Sequence, residues 1–242
     1  MSQRSSSETA SERTSKRRSM KFVNDKVTEY IDSYYRPLNE NLMNLREFAE
    51  EALVPIITRD TEMLLLNLLR IRKPMRILEI GTAVGYSAIC FASLLPNTKI
   101  ISLEVREDMV HTASENVKRF QMEDRIEIRL GDASESLAVL NDTIDDVETQ
   151  GFDMVFIDAA KSHYNAFWNG SLPLCRRDAV IVSDNILLKA RTASDEFVTK
   201  RRQMTSVRQM RDYIKNISES ELADTTLIPI GDGVALSVLR NG

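Results

Sequence analysis

The chain has 242 residues, 43% apolar and 28% charged, with a formal net charge of -4. That length suits one α/β domain with a sizeable core, and the mildly acidic balance lacks the global basic signature of a protein that lives on duplex phosphates. No apolar run approaches the roughly 20 residues of a membrane span, and the N-terminus has acidic residues (Glu8, Glu12) and no apolar h-region; a soluble, cytoplasmic protein is expected.

Residues 1 to 20, "MSQRSSSETASERTSKRRSM", hold almost nothing apolar, so burial cannot offset their ordering entropy and a disordered tail is expected. Its "SKRRS" reads either as a solvated tail or as a contact for RNA or lipid. The single domain is expected over 21 to 242. From Phe22 the pattern turns helical: Val23, Val27, Tyr30, Ile31 and Tyr34 recur at steps of three and four, and Leu42, Leu45, Phe48 and Leu53 continue after Pro37. "VPIITRDTEMLLLNLLRI" then predicts a loop at Pro55, a helix cap at Thr61 or Asp60, and an apolar helix ahead of Pro74.

After Pro74 the texture changes. The short apolar runs "MRILEIG", "KIISLEV", "RIEIRL", "FDMVFID" and "DAVIVSD" alternate with amphipathic segments of helix length, such as 106 to 121. This alternation predicts a mostly parallel sheet with helices on both faces. The last runs flank Gly231-Asp232-Gly233 in "TTLIPIGDGVALSVL", a hairpin signal that adds an antiparallel C-terminal strand and brings the sheet to seven. Cys90 and Cys175 lie in separate apolar segments without metal-ligand spacing and read as buried thiols.

The chemistry gathers at the carboxyl ends of those strands, where open α/β sheets bind ligands. The first strand enters "LEIGTAVGYSA", in which Gly81 and Gly85 permit a tight turn and close backbone approach; the loop suits a nucleoside cofactor, or is a structural turn. It is neither a G-x-G-x-x-G nor a P-loop. Glu104 ends the second strand, where an acid can accept both hydroxyls of a ribose, and Asp132 with Ala133 follows the third; Asp132 reads equally as a helix N-cap. Asp158 ends the fourth strand and Asp184-Asn185 the fifth, an all-oxygen set suited to Mg2+, with Asp184 as a helix cap the alternative. Lys161 follows three residues after Asp158. A nearby cation and partial burial both favour the neutral amine a base requires, and a solvated surface lysine is the competing reading.

These motifs, "LEIGTAVGYSA", Glu104, "GDA", "IDAAKSHY" and "SDN", together resemble the divalent-cation-dependent class I O-methyltransferases of catechol and caffeoyl-CoA type, over nearly everything from Phe22 to Leu239. The resemblance implies a Rossmann-like methyltransferase fold with extra N-terminal helices and S-adenosylmethionine as cofactor, bound by Ile57, Glu79, Gly81, Ser87, Glu104, Asp132, Ala133 and Asp158. It implies Mg2+, Mn2+ or another divalent cation at Asp158, Asp184 and Asn185, Lys161 as the base, and a homodimer. Within that family, "VPI", "FIDAAK", "DNILLK" and "IPIGDG" are most similar to the branch that methylates 5-hydroxyuridine at the wobble position of tRNA. In that base the C5 hydroxyl and the C4 carbonyl can chelate one metal ion as a catechol pair does.

A basic strip supplies a tRNA surface for this reading: Lys189, Arg191, Lys200, Arg201, Arg202, Arg208, Arg211 and Lys215 outnumber Asp195, Glu196 and Asp212. The same residues also read as a solvated helix face. Three further classes remain: a small catechol or caffeoyl-type ester as acceptor, a non-catalytic RNA-binding protein, and a nicotinamide oxidoreductase. The absent third glycine and the oxygen-donor triad count against the last.

Overall fold

The structure is a computed structural model that describes residues 25–240; the tail expected over 1 to 20 lies outside the described residues. Among the described residues three helices come first: α1 (Asp25–Asp32), α2 (Glu40–Glu51) and α3 (Arg59–Arg72). There follow β1 (Arg76–Ile80), α4 (Tyr86–Leu94), β2 (Lys99–Glu104), α5 (Glu107–Arg119), β3 (Ile126–Leu130), α6 (Ala133–Thr143) and the short α7 (Val147–Gln150). The chain continues through β4 (Phe152–Ile157), α8 (Tyr164–Ser171), β5 (Cys175–Ser183), α9 (Met204–Glu219), β6 (Ala223–Ile228) and β7 (Val234–Leu239). Among the described residues no helix is long and apolar enough to cross a membrane.

The seven strands form one sheet in the order β3-β2-β1-β4-β5-β7-β6. β1 to β5 pair in parallel, and β7 runs antiparallel to both β5 and β6, as the hairpin signal predicts. Strand order reverses at β1, which lies between β2 and β4, and the crevice outside the carboxyl ends of these strands is where the fold places a ligand.

Two apolar layers explain why the central strands read as unbroken apolar runs. Successive side chains of a strand point to opposite faces. Ile77, Ile100, Met154, Phe156, Val180 and Val182 pack into one layer with α2, α3 and α4; Leu78, Ile80, Ile101, Val155, Ile157 and Ile181 pack into the other with α6, α8 and α9. Cys90 and Cys175 are buried free thiols.

Two expected boundaries shift. α3 starts at Arg59 after Thr58, not at a cap on Thr61 or Asp60; Asp60 lies inside its first turn, where its Oδ2 accepts the Gly231 N–H at 2.9 Å and ties the β6–β7 turn to the helix. β5 starts at Cys175, three residues before the apolar run: the polar Arg176-Arg177-Asp178 belongs to the strand through an irregular register with β4, and Asp178 takes a left-handed φ of 59°.

Candidate active site

A cleft of about 860 Å³ lies over the carboxyl ends of β1, β2, β3 and β4, within the range typical of small-molecule and cofactor sites. Nine of the residues expected to form the site line it: Ile57, Gly81, Ser87, Glu104, Asp132, Ala133, Asp158, Lys161 and Asn185. They come from six stretches of chain that only the sheet brings together.

The floor is built by the loop after β1. Gly81 has φ 102°, and a Cβ there would lie 2.1 Å from the Asp158 carbonyl oxygen, so only glycine lets β1 and β4 emerge this close together. Glu104 grips the same loop: one carboxylate oxygen accepts the N–H groups of Thr82 and Ala83 at 3.2 and 3.0 Å, the other those of Val105 and Arg106 at 3.0 Å each. Glu104 thereby joins the β1 and β2 turns beneath the cleft.

Glu79 and Asp184 stand apart from the other nine. Glu79 is fully buried and does not line the cleft; strand alternation points it towards α4, where it accepts hydrogen bonds from the hydroxyls of Ser87 and Ser102. Burial, chiefly, pushes its carboxyl up to about 7. Asp184 is also buried, behind Asn185, and its Oδ1 accepts the Asn185 N–H at 2.6 Å. Burial first, and the nearby Asp158 second, push its carboxyl up to about 7. No helix follows Asp184 within hydrogen-bonding reach; the chain continues through turns to Thr192, so the capping alternative does not hold for it. Asp132 does cap α6, accepting from Ser134 N at 2.8 Å and Glu135 N at 3.3 Å, while it also borders the cleft.

At the cleft's other end three oxygen-bearing groups converge on one ammonium. Lys161 Nζ donates to Asp158 Oδ1 at 2.6 Å, to Asn185 Oδ1 at 2.8 Å and to the Tyr164 hydroxyl at 2.8 Å. Asn185 sits at φ 57°, a left-handed conformation that Asn adopts more readily than most residues, and the turn presents its amide oxygen to the cleft. Tyr164 is buried and its hydroxyl donates a hydrogen bond to the Asp184 carbonyl at 2.9 Å, so it buttresses the lysine from below. Asp158 Oδ1 and Asn185 Oδ1 thus meet at one point, held by the Lys161 ammonium, with the buried Asp184 carboxylate behind Asn185; the three offer only oxygen donors, the type a hard divalent cation takes. The residues present suit such a cation.

Several lining residues were given no role in the site from the sequence. Leu53, Val54, Pro55 and Ile56 form one wall, Val105, Arg106 and Met109 border the β2 turn, and His163 and Phe167 form the wall beside Lys161. The His163 and Phe167 rings lie 6.0 Å apart. These are ordinary apolar or loop residues in sequence, and only their shared edge makes them a surface.

The basic strip divides in two. Arg211 and Arg191 are half-buried braces: Arg211 donates to the carbonyls of Thr192 and Arg191 and pairs with Asp195 at 2.8 Å, and Arg191 Nε donates to the Leu188 carbonyl at 2.5 Å. Lys189, Lys200, Arg201, Arg202, Arg208 and Lys215 are exposed.

Residues 31–240 match the family described as O-methyltransferase. A catechol O-methyltransferase of Niastella koreensis is 29% identical over 231 residues, 90% of this chain and 100% of that protein. A caffeoyl-CoA O-methyltransferase of Eucalyptus gunnii is 27% identical over 221 residues, 88% of this chain and 86% of that one. Among solved structures, the O-methyltransferase from Bacillus cereus in complex with SAH superposes with a TM-score of 0.76 at 26% identity, covering 89% of this chain and 97% of that chain.

Proposed function

Since the chain belongs to the O-methyltransferase family, we propose that it moves the methyl group of S-adenosylmethionine onto one hydroxyl of a vicinal oxygen pair in a small aromatic acceptor of catechol or caffeoyl-ester type, with a divalent cation held by Asp158, Asp184 and Asn185. The observation that carries this reading is the convergence of Asp158 Oδ1, Asn185 Oδ1 and Lys161 Nζ at one end of a cofactor-sized cleft. The names of the catechol and caffeoyl-CoA relatives, and the SAH of the Bacillus cereus structure, support the acceptor and the cofactor.

The chain's own groups would divide the work as follows. Ile57 and Ser87 border the methionine part of the cofactor, Glu104 its ribose, and Asp132 and Ala133 its adenine, while Glu79 acts from beneath by holding the Ser87 hydroxyl. Once deprotonated to the neutral amine, Lys161 Nζ would take the proton that leaves the acceptor hydroxyl, held in place by Asn185 and Tyr164. When bound, the cofactor supplies an electrophilic sulfonium methyl and the cation supplies Lewis-acid charge at the acceptor oxygens. The walls at 53 to 56 and at His163 and Phe167 hold the acceptor ring so that its oxygen approaches in line.

A second reading keeps the chemistry and changes the acceptor to 5-hydroxyuridine of tRNA. It draws support from the exposed Lys189, Lys200, Arg201, Arg202, Arg208 and Lys215, whose phosphate contacts would make activity fall with salt. Both readings are tested by incubating the protein and S-adenosylmethionine with catechol, with a caffeoyl ester, and with tRNA containing 5-hydroxyuridine, each with Mg2+ and with EDTA, and analysing products by mass spectrometry. Methylated catechol or ester that disappears with EDTA is expected. 5-Methoxyuridine with both small acceptors untouched would replace the first reading by the second; methylation that survives EDTA would remove the cation.

A further inference from the structure

Behind the cleft wall lies a charged cluster that none of the proposed chemistry uses. Arg46 on α2 and Glu62 on α3 are each 1% exposed and form an ion pair at 2.5 Å. The guanidinium spends its other donors on named partners: Nη2 also reaches the Ile57 carbonyl at 3.0 Å, Nη1 reaches Glu50 at 3.2 Å, and Nε reaches the Tyr86 hydroxyl at 3.2 Å. Glu62 in turn accepts from the hydroxyls of Tyr86 at 2.6 Å and Tyr35 at 2.9 Å. The Arg46 guanidinium also lies over the Tyr86 ring, 4.7 Å from its centroid.

Arg46 and Glu62 do not line the cleft, but two of the residues they hydrogen-bond, Ile57 and Tyr86, do, and Ser87 adjoins the second. Ile57 ends the wall formed by 53 to 56, Tyr86 opens α4 directly after Gly85, and Ser87 is the next residue. A buried ion pair contributes little net stability compared with an apolar pair of equal volume, whereas its hydrogen bonds have direction. The hydrogen bonds of this pair connect Tyr35, the Ile57 wall and Tyr86, the residue that follows the glycine loop.

We propose that Arg46 and Glu62 are positioning residues for the cofactor: through the Ile57 carbonyl and the Tyr86 hydroxyl they hold the two sides of the cleft at the spacing that the methionine part of S-adenosylmethionine occupies. The inference rests on the cofactor reading above. It separates these residues from the proton-transfer end of the cleft, so their loss acts on cofactor binding and leaves the handling of the bound acceptor intact.

The test is a double variant, Arg46→Met with Glu62→Met, which removes both charges together and leaves no uncompensated buried ion. Calorimetric titration with S-adenosylmethionine is expected to show affinity at least about tenfold weaker than the parent's, with a melting temperature near the parent's. In turnover, KM for the cofactor rises while kcat at saturating cofactor stays close to the parent's, a split that general loosening of the fold would not produce. Tyr86→Phe, which keeps the ring and deletes the hydroxyl, is expected to weaken binding in the same direction and serves if the double variant does not fold. Unchanged affinity in a folded double variant, or in Tyr86→Phe should the double variant fail to fold, overturns the inference. A parent protein that does not bind S-adenosylmethionine overturns the cofactor reading itself.

Discussion

Lys161 Nζ lies 2.6 Å from Asp158 Oδ1, so the residue that follows β4 and the one three positions later face the same point. Both side chains are about a quarter exposed, which leaves the amine open to the cleft. Lys161→Ala is expected to lower kcat on the order of 10²- to 10⁴-fold, the usual contribution of a positioned base. A partly exposed pair of this kind contributes no more than about 1 kcal/mol to folding, so the melting curve should barely move. Steady-state kinetics and thermal melting of one preparation check both statements, and a kcat equal to the parent's would take Lys161 out of the proton path.

Glu79 makes stability depend on pH. Its carboxyl is raised in the folded protein from 4.5 to about 7, chiefly by burial. The folded state therefore binds more protons than the unfolded state between those values, and stability falls as pH rises through that window. The full effect is about 3 kcal/mol. Glu79→Gln keeps a hydrogen-bonding partner for Ser87 and Ser102 without the ionisation. Urea unfolding at about pH 5 and about pH 8 should show a smaller loss of stability in the variant than in the parent. Because Asp184 titrates in both proteins, only the difference between the two slopes reports Glu79; parallel slopes would contradict the assignment.

Gly81→Ala tests the close approach of β1 and β4. The new Cβ meets the Asp158 carbonyl oxygen at 2.1 Å, and the backbone φ of 102° disfavours any L side chain. A cost of at least about 2 kcal/mol is expected, together with weaker cofactor binding and, on the proposed function, weaker cation binding, because Asp158 must move. Chemical unfolding and calorimetric titration measure the two effects; a variant as stable as the parent would mean that the loop has room that the present geometry denies.

What could be read without the structure was what is local. The short unbroken apolar runs, the helical spacing of the segments between them and the Gly231–Gly233 turn predict a parallel sheet with an antiparallel end, and the sheet forms that way. The acids at strand ends are legible for the same reason: a charge closing a buried apolar run cannot remain inside without a partner. The polar start of β5 was not legible, because Arg176 and Arg177 carry a loop's composition and lie in the register shift between the Phe152–Cys175 and Met154–Val180 pairs.

Charge and residue type along the chain thus determined the fold class and the carboxyl ends of the central strands, and singled out Asp158, Lys161, Asp184 and Asn185 as candidates. Tertiary structure alone decided that Glu79 turns away from the cleft to hold Ser87, that Tyr164 supports Lys161, and that Arg46 meets Glu62 across 16 residues of chain. The physical reason is separation: periodicity reports which face of an element is buried, whereas hydrogen bonds between distant segments depend on how whole elements pack, and no local pattern encodes that packing.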